Sequence, residues 1–119
     1  MIPKFRIYCY ETQEMIVARD YRELAELFTG LDADDSLYGD LMQSTGLLDK
    51  NGKEIFEGDV VFDKWANAYT PVFQNGIYMA YNPKNLMQND PSTQFNVIWR
   101  DGCEIIGNIY QNPELVEEL

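Results

Sequence analysis

The sequence predicts a mainly β fold, α+β at the margin, and three observations predict it. Phe5, Ile7 and Cys9 alternate with Arg6, Tyr8 and Tyr10, the period of a strand with one buried face. Turn pairs punctuate the chain at Asn51-Gly52, Asn75-Gly76 and Asp101-Gly102. One early segment alone carries helical spacing. Short strands tied by tight turns favour a small barrel-like, strongly curved antiparallel sheet over a flat one.

Taken in order, the first strand turns at Glu11-Thr-Gln-Glu14 and returns through Met15-Ile-Val17. Asp20 and Glu23 have capping-box spacing. Tyr21, Leu24, Ala25, Leu27 and Phe28 share a helical face, which predicts a short amphipathic helix over 21–29 that docks on a sheet. Gly30 is placed to stop it. Leu31 to Asp40 reads as an acidic turn. Leu41 and Met42 read as a strand that Thr45-Gly46 breaks. Asn51-Gly52 predicts a hairpin with positive φ at both residues. Glu57-Gly58-Asp59 predicts a second tight turn before the strand Val60-Val61-Phe62.

Further on, Asn75-Gly76 joins Val72-Phe73 to Ile77–Tyr81 as a hairpin. Residues 82–94, with Pro83 and Pro91, read as a loop. Phe95, Val97 and Trp99 alternate with Asn96, Ile98 and Arg100. With the turn Asp101-Gly102 they predict a hairpin returning through Cys103–Tyr110. Asn112-Pro113 predicts a capped helical turn through Glu117.

At 119 residues the chain is expected to be a single domain spanning 1–119. Its 45% hydrophobic content supplies a core and argues against disorder. No apolar run reaches the roughly 18 residues that span a bilayer. The N-terminus has no apolar signal region, so a cytoplasmic location is expected, with no membrane partner. Cys9 and Cys103 are too few for a disulfide framework and read as reduced core thiols.

The formal charge is −11, from 20 acidic and nine basic residues. Such a field repels DNA and RNA, so no nucleic-acid partner is expected. It reads as a solvated surface; the sharper alternative is a mimic of nucleic acid directed at a nucleic-acid-binding protein. The chain has no histidine. That removes the commonest general base and most zinc sites. No phosphate-binding glycine loop occurs.

Carboxylates are the remaining catalytic material. Asp32, Asp34, Asp35 and Asp40 fail the calcium-loop pattern, which would need glycine at Leu37 and glutamate at Gln43. Asp59, Asp63 and Lys64 hold the ingredients of a metal nuclease, but one such pair is common by chance. No catalytic, metal or cofactor residue is assigned. Trp65, Tyr69, Tyr78 and Tyr81, with Phe73, are the candidate contact residues, because Tyr and Trp dominate interface energetics. Core packing is the competing use of the same rings.

Two stretches carry more. Leu41-Met-Gln-Ser-Thr-Gly-Leu-Leu-Asp-Lys-Asn-Gly-Lys-Glu-Ile-Phe-Glu-Gly-Asp-Val-Val61 and Ile105-Ile-Gly-Asn-Ile-Tyr-Gln-Asn-Pro-Glu-Leu115 resemble the signature of the YopX family. These are small proteins of phages and prophages of low-GC Gram-positive bacteria. Lys4-Phe-Arg with Glu11-Thr-Gln-Glu-Met-Ile16 is similar to the family's opening. Cys9-Tyr10 departs from the Trp-Asp that usually stands there, and Phe62 to Asn96 matches nothing in the pattern. The resemblance implies a YopX-like compact antiparallel fold and a setting in the host bacterial cytoplasm. It implies no agreed molecular activity.

The signature residues Gly46, Leu47, Asp49, Asn51, Gly52, Glu57, Gly58, Asp59, Gly107, Asn108, Tyr110 and Pro113 are mostly turn formers and read as scaffold. The alternative is a site made by Glu54, Glu57 and Asp59. The expectation is therefore a non-enzymatic accessory protein acting through protein contacts, with itself or a host or phage protein. A homo-oligomer is expected, because sheet edges and exposed aromatics need covering. A nucleic-acid-mimicking or nucleic-acid-associated regulator stands second, and a carboxylate-based metal enzyme third.

Overall fold

The computed structural model describes residues 4–84 and 93–116. The chain divides into two compact units, one through Ser44 and one from Thr45. It is mainly β with two short helices. Part of the expected loop, including Pro91, and the end of the expected C-terminal turn at Glu117 lie outside the described residues.

In the first unit, β1 (Phe5–Cys9) and β2 (Glu14–Ala18) form the expected antiparallel hairpin, with Ile7 opposite Ile16, but β1 does not keep one face open as its alternation predicts: Arg6 and Tyr8 are buried along with Ile7 and Cys9. On its other side β1 pairs with Met42 and Gln43 of β3 (Met42–Leu48) and bridges from Cys9 to Tyr38. Helix α1 (Tyr21–Ala33) starts as its sequence predicts: Asp20 Oδ1 accepts the Glu23 N–H at 2.8 Å. It does not stop at Gly30. Leu31 repeats the spacing of Leu24 and Leu27, and these three form the docked face with Ile7 and Ala18, whereas Tyr21, Ala25 and Phe28 of the expected face are exposed. Gly30 serves a close approach instead, since a Cβ there would meet the Tyr38 Oη at 3.2 Å. A short 3-10 turn, Asp35–Leu37, follows the helix.

The second unit begins within β3. Thr45-Gly46 does not end this strand. The Thr45 hydroxyl donates to the Ile55 carbonyl at 2.7 Å and accepts the Leu47 N–H, which carries pairing past the irregular point. Next come β4 (Glu54–Phe56), β5 (Asp59–Phe62), β6 (Ala68–Gln74) and β7 (Ile77–Tyr81). Asn75 and Gly76, at φ 54° and 87°, make the β6–β7 turn of the primed type that twisted hairpins prefer.

The expected hairpin over 95–110 is corrected. After β8 (Thr93–Gln94), residues Phe95–Arg100 form a helix, α2. Six residues rich in apolar side chains fit either period. Burial decides: Phe95 and Ile98, three apart, enter the core, whereas strand alternation would set them on opposite faces. The returning strand β9 (Glu104–Asn108) pairs with β5, with a register shift at Val60/Val61. The sheet order is β8-β7-β6-β5-β9. Its core is Ile55, Val61, Ala80, Phe95, Ile98 and Cys103. Cys9 and Cys103 are buried free thiols. The chain ends in a 3-10 turn, Pro113–Leu115, with proline leading it as expected. Asn112 does not cap that turn; its Oδ1 accepts the Asn108 N–H instead.

One packing defect is measurable. Thr70 of β6 is 1% exposed, and its Oγ1 has no hydrogen-bond partner among the described residues. A buried unpaired hydroxyl is a net cost of roughly 1–3 kcal/mol. Thr70→Val keeps the shape and removes the hydroxyl. A chemical-denaturation midpoint above the parent's is the expected result, with an unchanged m-value.

Candidate functional site

The signature residues converge on two corners of the second unit, and their polar atoms face the backbone. Asp49 closes the β3–β4 turn. Its Oδ1 accepts the N–H groups of Asn51 and Lys53, both at 2.9 Å. Its Oδ2 accepts the Ile105 N–H at 3.0 Å, which fastens the turn to β9. Asp49 is 6% exposed. Burial alone would raise its carboxyl pKa. The backbone donors of Ile105, Lys53 and Asn51 outweigh burial, and the Lys53 charge adds to them, so the carboxyl sits below its usual value. The turn therefore differs from the expected two-residue hairpin. Gly52 alone of the pair has positive φ, and the Asp49 side chain does the work of the second turn residue.

The second corner is built by Asp59 and Asn108. Asp59 Oδ2 accepts the Phe56 N–H at 2.8 Å, closing the turn over Gly58 at φ 83°. Asn108 Oδ1 accepts the N–H groups of Tyr110 and Gln111, and its Nδ2 donates to Gln111 Oε1. Gly107 is required by close approach: a Cβ would stand 2.5 Å from Asn112 Oδ1. Leu47 packs on the core, and Asn51 Nδ2 donates to Glu104 Oε1. Pro113 opens the last turn.

Members of the alternative carboxylate sites are engaged with backbone groups of their own fold. Glu57 Oε2 accepts the Phe73 N–H at 3.0 Å, while Asp59 turns to Phe56. Asp34 receives the N–H and hydroxyl of Ser36. Among the described residues, no group of three carboxylate or thiol ligands could hold a metal ion. Burial first, then the Asp49 charge, pushes the Cys103 thiol up to about 11, so it stays protonated at neutral pH.

The contact candidates separate sharply. Tyr81 is 2% exposed and its hydroxyl donates to Gln74 Oε1, which makes it a core residue rather than a contact residue. Tyr69 and Tyr78 pack against the core, and burial, then the Glu57 charge, raises the Tyr78 phenol to about 12. Trp65 differs, with 67% of its surface exposed. It rides the β5–β6 loop, where Asp63 Oδ1 accepts the N–H groups of Trp65 and Asn67, each at 2.9 Å. The Asp63 N–H donates to the Asn67 carbonyl, so both ends of the loop are tied. Lys64 Nζ lies 4.4 Å from the Trp65 ring centroid.

Beside this loop runs a groove of about 300 Å³. Phe62 and Cys103 give it apolar surface; Lys50, Lys64, Asp63, Asp101 and Glu104 line it with both charges. Lys50 Nζ and Glu104 Oε2 stand 3.3 Å apart at its border. Sequence reasoning found Trp65 but missed the groove. Lys50 and Glu104 come from stretches 54 apart and share no local signal.

The YopX protein family pattern matches residues 1–117. The chain belongs to the YopX family. Among solved structures it is similar to the crystal structure of protein EF1440 from Enterococcus faecalis. The two share 28% identity over 98% of this chain and 99% of that one, with a TM-score of 0.59. No curated protein matches the chain. Among the described residues, no helix is long and apolar enough to cross a membrane.

Two measurements test the scaffold role of the YopX signature. Gly58→Val forces a β-branched residue to positive φ and should cost roughly 1–3 kcal/mol. A variant that melts like the parent would refute the assignment. Asp49→Asn swaps one acceptor for a donor that faces N–H groups, a loss of about 2 kcal/mol. A carboxyl held below its ordinary pKa of 3.8 stabilises the fold above that value and loses the effect as pH falls through its folded pKa. The parent should therefore lose more stability than Asp49→Asn as the pH falls below 3.8.

Proposed function

We propose that this YopX protein is a non-enzymatic accessory protein of a phage or prophage that acts through protein contacts in the bacterial cytoplasm. The Trp65 loop supplies the contact. The observation that carries this reading is the combination of exposure and fixation at Trp65. A tryptophan two-thirds exposed is a standing cost in water. The Asp63 hydrogen bonds hold its loop in one shape, so little conformational entropy remains to be lost on binding. The groove next to it offers room for an apolar partner side chain, framed by charges that fix orientation.

The enzymatic reading draws less support. The polar atoms of the signature are engaged with backbone groups of their own fold, and a catalytic carboxylate needs a face open to substrate. The acidic balance of the chain weighs against direct nucleic-acid binding.

Affinity capture from host lysate, compared between parent and Trp65→Ala with mass spectrometry, tests the reading. A protein held by the parent at stoichiometric level should be lost from the variant, because central aromatic anchors contribute 2 kcal/mol or more, roughly thirtyfold. Equal capture by both would remove Trp65 from the interface. A second check is fluorescence anisotropy with labelled DNA at about 150 mM salt, where no binding is expected.

A further inference from the structure

We infer that the outer edge of β2, with the cleft between β2 and α1, docks an extended segment of a partner protein in which basic and apolar residues alternate. The site lies in the first unit and uses none of the Trp65 residues. The segment would add a strand to the sheet beside β2 and send side chains into the cleft.

Three features of this edge carry the inference. First, β2 ends its sheet. Among the described residues it pairs with β1 alone. Exposed edges are ordinarily blunted by proline, lysine or a bulge. Glu14-Met-Ile-Val-Ala18 has none of these, and Ile16 is 38% exposed. Its unpaired backbone groups can be satisfied by an added strand.

Second, the cleft runs along that edge. It has a volume of about 210 Å³ and touches Ile16, Val17 and Ala18 in succession. Side chains alternate faces along a strand, so a cleft meeting three residues in a row lies at the strand's backbone edge. Its floor is apolar, from Ala18, Leu27 and Tyr38, and Gly30 of α1 also lines it.

Third, the walls are acidic. Glu23 and Glu26 line it from α1 one turn apart, Glu23 Oε2 also accepting the Arg19 N–H at 3.3 Å, and outside the cleft Glu14 stands exposed at the start of β2. Opposing them are Arg19 and Arg22. Arg22 Nε approaches Glu26 Oε1 only at 3.9 Å, with both side chains largely exposed, so solvent screens that pair. A second copy of this chain would bring a further −11 charge and its own Glu14, Glu23 and Glu26 to the same edge. A basic and apolar strand complements what is there.

The probe is a fluorescent synthetic peptide of nine alternating lysine and valine residues, titrated into the full chain at about 150 mM salt, where long-range attraction is largely screened. Saturable binding is expected, with slowed amide exchange at Glu14–Ala18. The double variant Glu23→Gln, Glu26→Gln should bind about fivefold more weakly. Trp65→Ala should bind like the parent. A peptide with glutamate in place of lysine should not bind.

No binding, or binding that leaves β2 exchange unchanged, overturns the proposal. So does equal affinity of the double variant, which would reduce the effect to bulk charge, or loss of binding in Trp65→Ala, which would move the peptide to the other unit. A peptide-free chain whose β2 amides gain protection with concentration would assign the edge to a second copy and also overturn it.

Discussion

The second unit depends on one carboxylate. Asp49 accepts three backbone N–H groups, two within its own turn and one from Ile105, 56 residues later. The turn bonds fix where β3 gives way to β4. The long-range bond fixes where β9 sits against that turn. Lys50 N–H to the Cys103 carbonyl repeats the tie one residue on. A buried carboxylate costs free energy to desolvate, and it is tolerated because each donor is charge-assisted and well aligned. This explains why the family signature falls in two stretches far apart in sequence. Neither corner is complete until the strand carrying Ile105, Gly107 and Asn108 has arrived beside β5.

The same arithmetic separates scaffold from surface. Asp49, Asp59 and Asn108 look like chemistry when read as residue types, since Asp and Asn are catalytic and metal-binding material. Burial and hydrogen-bond direction show otherwise: each turns its acceptors inward on N–H groups that would be orphaned in the interior. Asp63 uses the same device at the surface. There it closes a loop whose product is an outward tryptophan rather than a packed corner.

Much of the fold was legible because local signals agreed with the tertiary outcome. Strict alternation marked β1, the Asp20 cap marked α1, and Asn75-Gly76 marked the β6–β7 turn. The failures have one cause. Phe95 to Arg100 alternates as a strand and also fits a helical face, and only the position of Phe95 and Ile98 in the core breaks the tie. Gly30 reads as a stop until Tyr38, eight residues on, is seen packed against it. At Asn51 the turn pair was real, but a side chain from Asp49 replaced the backbone conformation the dipeptide suggests. The groove by Trp65 was illegible for the same reason, since its walls come from three separate loops.

A small acidic protein faces a conflict between solubility and contact. A charge of −11 opposes the close approach of two copies, so association needs surfaces where apolar area is exposed in spite of that field. Each unit resolves this differently. The second exposes Trp65 on a pinned loop, more open than Phe62, Phe73 or Trp99, with charges of both signs beside it, so the contact proposed there would be insensitive to the sign of the partner's charge. The first exposes a strand edge and an apolar cleft between carboxylates, so contact there selects by sign. A surface that selects by charge discriminates among partners and speeds encounter, whereas a buried aromatic anchor slows departure. If both proposed contacts are made, recognition and retention are set by different side chains, because Trp65 and the β2 edge stand in different units.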